Sequence, residues 1–248
     1  MRGFTKSSNP VFNSALFKDA KGVTSTEGVM TVGGTVNKAI LLFLITVFTS
    51  FYSWKLMEVG RGASLIWIGA IGGFIFAMIT TFKIDWAHIT APIYAAFEGL
   101  FLGGISLMFS QLYNGIVVQA ILLTFGVMLV VLLFYRLGLL KATPGFTKWL
   151  LIATGGIAGY YLITIIFGFF NKDISVFAMG GAGIVIQLAI VAIAALNFVL
   201  DFNMIEQGVE QGAPKQMEWY GAFGLMVTLI WLYIEILRLL AILASSRD

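Results

Sequence analysis

The sequence predicts an all-α integral membrane protein, a bundle of seven transmembrane helices. Three observations lead there. Of 248 residues, 59% are hydrophobic and only 11% charged, with mean hydropathy +0.95; a soluble domain carries roughly twice that charged share. Seven apolar runs reach or approach the ~20 residues with which a helix crosses a ~30 Å hydrocarbon core. The alternating, turn-rich pattern of an outer-membrane barrel is missing, which leaves helices, whose backbone polar groups satisfy one another, as the way to cross lipid.

Residues 1–37 are rich in Gly, Ser, Thr, Asn and Lys without a sustained period and read as a mobile cytoplasmic tail. The stretch is too polar for a signal peptide, so the chain is expected to insert through its own first span. The seven-helix domain then occupies 38–248. Its first run, Ala39–Met57, follows Lys38. The second, Ser64–Phe82, lies between Arg61 and Lys83. Ile89–Gln111 and Tyr113–Tyr135 come third and fourth, the latter stopping at Arg136. The fifth, Phe146–Phe170, ends before Lys172, after which Ser175–Phe202 and Trp219–Ala244 complete the set. Short connections imply one bundle without a second domain. Small-residue pairs four apart, Gly69/Gly73, Gly99/Gly103 and Gly155/Gly159, suit close helix contacts.

The charged residues set the topology and exclude several functions. Lys and Arg divide ten to five between the two sides when counted over the short loops, which places the amino terminus in the cytoplasm and the carboxyl terminus outside. Because the fifteen basic residues are scattered, the net charge of +3 reflects membrane topology, and nucleic acid is not an expected partner. The chain contains no cysteine and one histidine, His88, which excludes thiol nucleophiles, zinc–thiolate sites and the two-histidine zinc motif. There is no nucleophile elbow and no phosphate loop, so an enzyme is not expected, and no resident cofactor either. The two halves show no internal repeat of the kind many transporters carry.

Carboxylates inside apolar spans are costly and face a cavity, a partner or the interface. Glu98 lies nine residues into the third run, ~13 Å deep at 1.5 Å per residue, without a basic residue within four positions. It reads either as a protonated acid bonded to neighbouring backbone or as part of an ion or proton path. Asp201 ends a stripe of Gly180, Gly183, Gln187, Ala194 and Asn197, interrupted by Ile190. The stripe argues for a face turned into the bundle, and the competing reading is a last helical turn wetted by the cytoplasm. In the seventh run Gly221, Gly224, Thr228, Glu235 and Arg238 form a similar stripe. Glu235 and Arg238, three apart, read as an ion pair near the outer interface. Glu206, Glu210 and Glu218 in the link between runs six and seven, against Lys215, would form an acidic mouth that concentrates cations.

Two stretches carry a resemblance. Leu200-Asp-Phe-Asn-Met-Ile-Glu206 and Thr228-Leu-Ile-Trp-Leu-Tyr-Ile-Glu235-Ile-Leu-Arg238 resemble the Bax inhibitor-1/YccA (TMBIM) family. Ser8-Asn-Pro-Val-Phe12 and Met217-Glu-Trp-Tyr-Gly-Ala222 are similar to its longer bacterial branch. The resemblance implies a seven-helix fold with the last helix central, in a bacterial inner membrane. It further implies a pH-sensitive leak for cations, calcium first, gated by an aspartate pair between helices six and seven. Asp201 takes the place of the helix-six aspartate. The helix-seven aspartate has no counterpart, because Thr228 stands at its position and Glu235 falls two turns later, ~10 Å along the axis. Glu98 is the alternative partner for Asp201; two acids sharing a site titrate as a coupled unit.

The ion- or proton-sensing residues expected from this reading are Asp201, Glu98, Thr228 and Asn197, with Glu206, Glu235 and Arg238 secondary. Calcium, as transported ion rather than cofactor, would be met near Asp201 and Glu98, since it prefers oxygen ligands. Expected partners are the lipid bilayer and calcium or protons. An alternative from the same family is a regulatory protein that binds another membrane protein, such as a membrane protease.

Overall fold

A computed structural model describes residues 28–169 and 180–246. The Ser8–Phe12 motif, the tail lysines and arginine, Lys172, Ser175 at the start of the sixth run, Arg247 and Asp248 lie outside the described residues. Among those described, seven helices are long and apolar enough to cross a membrane: α1 (Val32–Glu58), α2 (Ser64–Phe82), α3 (Ala87–Leu112), α4 (Ile116–Arg136), α5 (Pro144–Phe169), α6 (Gly180–Glu210) and α7 (Met217–Ser245). A single 3-10 turn, Ile84–Trp86, leads into α3. The chain is therefore a multi-pass membrane protein with an all-helical fold.

The last helix is central. It packs against α1, α3, α4 and α6, and 56% of its most apolar stretch is buried, against 17% for α2 and 11% for α5. The core gathers around it: Phe198 and Val199 of α6, Leu42 of α1, Ala91, Tyr94 and Ala95 of α3, and Met226, Leu232 and Leu237 of α7 itself. Tyr94 meets Phe223 edge to face, with centroids 5.0 Å apart. The aliphatic side chains of α2, α4 and α5 that face away from this core are exposed, as a hydrocarbon surround permits.

Among the described residues, two element limits differ from the sequence reading by more than three residues, each for a physical reason. α1 starts at Val32, not Ala39, so residues 32–37 of the expected tail are helical. Thr31 caps the helix by accepting from the Gly34 N–H at 2.9 Å. The four residues before the helix lie along the α6–α7 connection: Met30 N–H donates to the Ala213 carbonyl at 2.8 Å, and Val29 bridges Pro214. α6 in turn runs eight residues beyond Phe202, to Glu210. Alternation of apolar and polar residues there keeps Ile205 and Gly208 buried while Glu206 and Glu210 face out.

The glycine pairs divide. A methyl group on Gly99 or Gly103 would run into Thr49, the Thr46 carbonyl or the Ser50 carbonyl of α1. One on Gly69 would meet the α3 backbone at Phe101, 2.5 Å away. These two pairs let α1 and α2 approach α3 closely. Gly155 and Gly159 meet nothing within 4 Å and make no such contact.

Gly103→Leu is accordingly expected to destabilise the fold by about 1–3 kcal/mol or more through overpacking. Gly155→Ala should instead be neutral or stabilising by up to ~1 kcal/mol, as glycine is the weaker helix former. Thermal unfolding in detergent, followed by near-ultraviolet circular dichroism, distinguishes the two; equal sensitivity at both positions would contradict the packing described.

Candidate functional site

Asp201 lies nine residues before the end of α6, ~13 Å from it along the axis, and so is not in the last turn. Its neighbours Phe198, Val199 and Leu200 are buried, and its carboxyl group turns toward α7 where Gly224 leaves room. A methyl group on Gly224 would come to 3.5 Å from Asp201 Oδ1. One turn further along α7, the buried Thr228 stands beside the carboxyl group. Asp201 Oδ2 is buried without a hydrogen-bond partner. The inward reading of Asp201 thus accounts for the geometry, and the wetted-end reading does not.

Glu98 is placed elsewhere. It projects from α3 onto α2, where a methyl group on Gly73 would lie 2.7 Å from Oε1. Neither acid figures among the groups acting electrostatically on the other, and α7 packs against both α3 and α6. The structure does not bring Glu98 and Asp201 together as a coupled pair. Counting residues left Asp201 at the boundary, whereas α6 continues nine residues past it, and the direction in which Glu98 points is set by the Gly69, Gly72 and Gly73 contact with α2. Asn197 also leaves the shared stripe: its Nδ2 donates to Thr154 of α5 at 3.0 Å and to the Ile193 carbonyl at 2.8 Å. Among the described residues no three His, Cys, Asp or Glu side chains converge as a metal cage. Asp201 and Thr228 offer oxygen atoms to a passing cation, and Asp201 can take up and release a proton.

Glu235 corrects the expectation of an ion pair near the outer interface. It is 1% exposed and receives donors from three helices. Tyr161 of α5 donates to its carboxylate at 2.7 Å, Gln187 of α6 at 2.7 Å, Trp231 of its own helix at 2.9 Å and Arg238 at 3.2 Å. Gln187 Nε2 also reaches the Glu235 carbonyl at 3.0 Å, and the Arg238 guanidinium sits 4.8 Å from the Tyr161 ring centroid. Sequence reasoning found the i,i+3 pair but not this hub. The signal for it was a tally of hydroxyl- and amide-bearing residues in the neighbouring spans, where Tyr161 and Gln187 stand out.

The acidic mouth is also revised. Glu206 and Glu210 belong to α6, and Glu206 accepts from the Tyr135 hydroxyl of α4 at 2.6 Å. Glu218 opens α7 and is 1% exposed. It accepts from the Thr31 N–H and hydroxyl, both at 3.0 Å, and forms an ion pair with Lys38. A methyl group on Gly34 would collide with its carboxylate. Glu218 therefore fastens α1 to α7 rather than offering free charge to cations.

Glu235→Ala should cost about 3 kcal/mol or more, because it strands Arg238, Tyr161 and Gln187 without their acceptor in a buried setting. Glu235→Gln keeps an acceptor oxygen and should cost less. Thermal unfolding of the two variants in the same detergent checks the order, and an alanine variant as stable as the parent would contradict the hub.

Neither the curated proteins nor the solved structures yield a match to the chain. A family model does: the one described as Bax inhibitor 1 like matches residues 9–245, nearly the whole chain and all seven helices. The chain belongs to the Bax inhibitor 1 like family.

Proposed function

We propose that this membrane protein is a proton-responsive cation leak, calcium being the first ion to test, in which the α6–α7 contact at Asp201 and Thr228 is the gate. The observation that carries the reading is the Asp201 carboxyl group at the α6–α7 contact, with one buried oxygen lacking a partner and with Thr228 and Tyr220 of α7 beside it. An ionised carboxylate without a basic neighbour is costly in a dry helix interface. Water entering between α6 and α7 relieves that cost, so ionisation of Asp201 favours the wet, conducting arrangement and protonation the closed one.

A second reading, a regulatory protein that binds another membrane protein, is favoured by a different feature. Residues 28–31 are fixed to the α6–α7 connection through Ala213, Lys215 and Glu218, so a partner gripping residues 1–27 would pull on the same two helices that carry the gate. The orientation consistent with both readings has the amino terminus in the cytoplasm of a bacterial cell and the carboxyl terminus outside the inner membrane.

Purified protein in liposomes should pass more calcium at pH 8 than at pH 6, the ionised fraction of a single group changing by at most ~10-fold per pH unit. Asp201→Asn, which keeps the shape and removes the charge, should hold the flux low and flatten the profile. An unchanged pH profile in the variant would remove Asp201 from the gate. Deleting residues 1–27 separates the two readings: a leak survives the deletion, whereas an interaction role loses its partner in a pull-down. A periplasm-only reporter fused after Asp248 should be active, and activity from a cytoplasm-only reporter instead would reverse the orientation.

A further inference from the structure

Between α1 and α4, with α3 and α7 as its floor, lies a half-open cavity of about 350 Å³. It faces away from the Asp201 side of α7: its α7 wall is Met226, Leu229, Ile230 and Tyr233. By volume it would hold on the order of ten waters at ~30 Å³ each, but a water also needs two or more polar partners. Four of the five hydroxyl-bearing residues on its wall, all but Ser50, are engaged within the protein. Thr46 donates to the Leu42 and Ala95 carbonyls, Thr124 to the Ala120 carbonyl at 2.7 Å, and Ser106 and Tyr233 bond each other at 2.7 Å. Apart from the Ser50 hydroxyl, too few polar partners remain to order such water, and the rest is hydrocarbon surface that opens sideways past the exposed Val47, Phe51 and Ile121.

The dimensions and the ends identify the occupant. Along α1 the cavity reaches from Phe43 to Lys55, twelve residues or ~18 Å, close to the ~15 Å of one leaflet of a ~30 Å core. Its deep end is closed where Phe43 meets Phe125 edge to face, 5.4 Å apart. Its other end carries Trp54 and Lys55, residue types that anchor at the headgroup level. The Lys55 side chain is 56% exposed and bonds Glu58 at 2.7 Å, which leaves ammonium donors free for a phosphate. We infer that this slot is a binding site for one phospholipid, with an acyl chain lying along α1 between α1 and α4 and its phosphate at Lys55.

The test uses the full chain in vesicles of phosphatidylcholine and phosphatidylglycerol that contain a phosphatidylcholine with a photoreactive diazirine on its acyl chain. After illumination, peptide mass spectrometry should find labelling at Val117, Ile121 and Leu229 exceeding that at the more exposed Ile71 of α2 and Ile152 of α5 by about tenfold. Ile121→Trp fills the slot and should abolish the excess while leaving the label on Ile71 unchanged; Val47→Trp, from the opposite wall, serves if that variant does not fold. Even labelling of all exposed faces would reduce the lipid to the ordinary surround and overturn the site. So would an excess that persists in the filled variants. The chain contains no cysteine, so Ile121→Cys also tests a competing occupant: a disulfide-linked dimer formed in the membrane would show a second copy of this chain in the slot and overturn the lipid.

Discussion

Polar groups along the length of α7 meet partners on neighbouring helices, and the bundle is organised around those contacts. Hydrocarbon offers no water to a stranded donor or acceptor. Glu218 is met by Thr31 and Lys38 at the start of α1, and Asp201 of α6 turns to Thr228. Tyr233 is met by Ser106 of α3, and Glu235 by Tyr161 of α5 and Gln187 of α6. These contacts are spread over four turns of one helix and reach four different neighbours, so a slip of α7 by even one residue would leave several of them unmade. Apolar packing gives α7 its central position; the polar contacts give it a register.

The four-helix reach also explains where the bundle is open. α4 touches α7 through Ile116, Ala120 and other apolar residues of the shared core, and no side-chain hydrogen bond between these two helices is found among the described residues. Dispersion alone holds that contact, and it is on this side, between α4 and α1, that the wall parts into the half-open cavity. On the opposite side, where Glu235 gathers its donors, α5 is held by Tyr161 although little of that helix is buried.

Seven helices and their order were legible in the sequence because the length of an apolar run is a local property, fixed by the thickness of the hydrocarbon. The inward face of α6 was legible too, since Gly183, Gln187, Ala194 and Asp201 repeat at helical spacing. What was not legible rests on contacts distant in sequence. The first turns of α1 look like a polar tail until Glu218, 187 residues after Thr31, supplies their partner. Glu235 looks like half of a local pair until Tyr161 and Gln187 arrive from other helices. Glu98 and Asp201 are both acids at depth, yet depth says nothing about azimuth, and azimuth is what close packing against Gly73 decides.

The contrast among these acids bears on which of them can act as a switch. Glu235 is saturated: a guanidinium, a phenol, an indole and an amide all point at it, and moving it would break four contacts together. Glu218 is held similarly by an ion pair and two bonds from Thr31. Glu98 has no such donors, but it is pressed between helices that three glycines bring into close contact, which leaves little room for water to follow a charge. Asp201 differs from all three. It has Thr228 and Tyr220 of α7 beside it, an oxygen without a partner, and a glycine opposite, at the contact between the two helices whose connection is gripped by residues 28–31. In the proposed gate, gain or loss of its charge would act on that one contact, while the hub at Glu235 ties the same two helices at Gln187. The same two helices are tied by hydrogen bonds at Gln187 and Glu235, and they meet at Asp201 and Gly224 across a glycine.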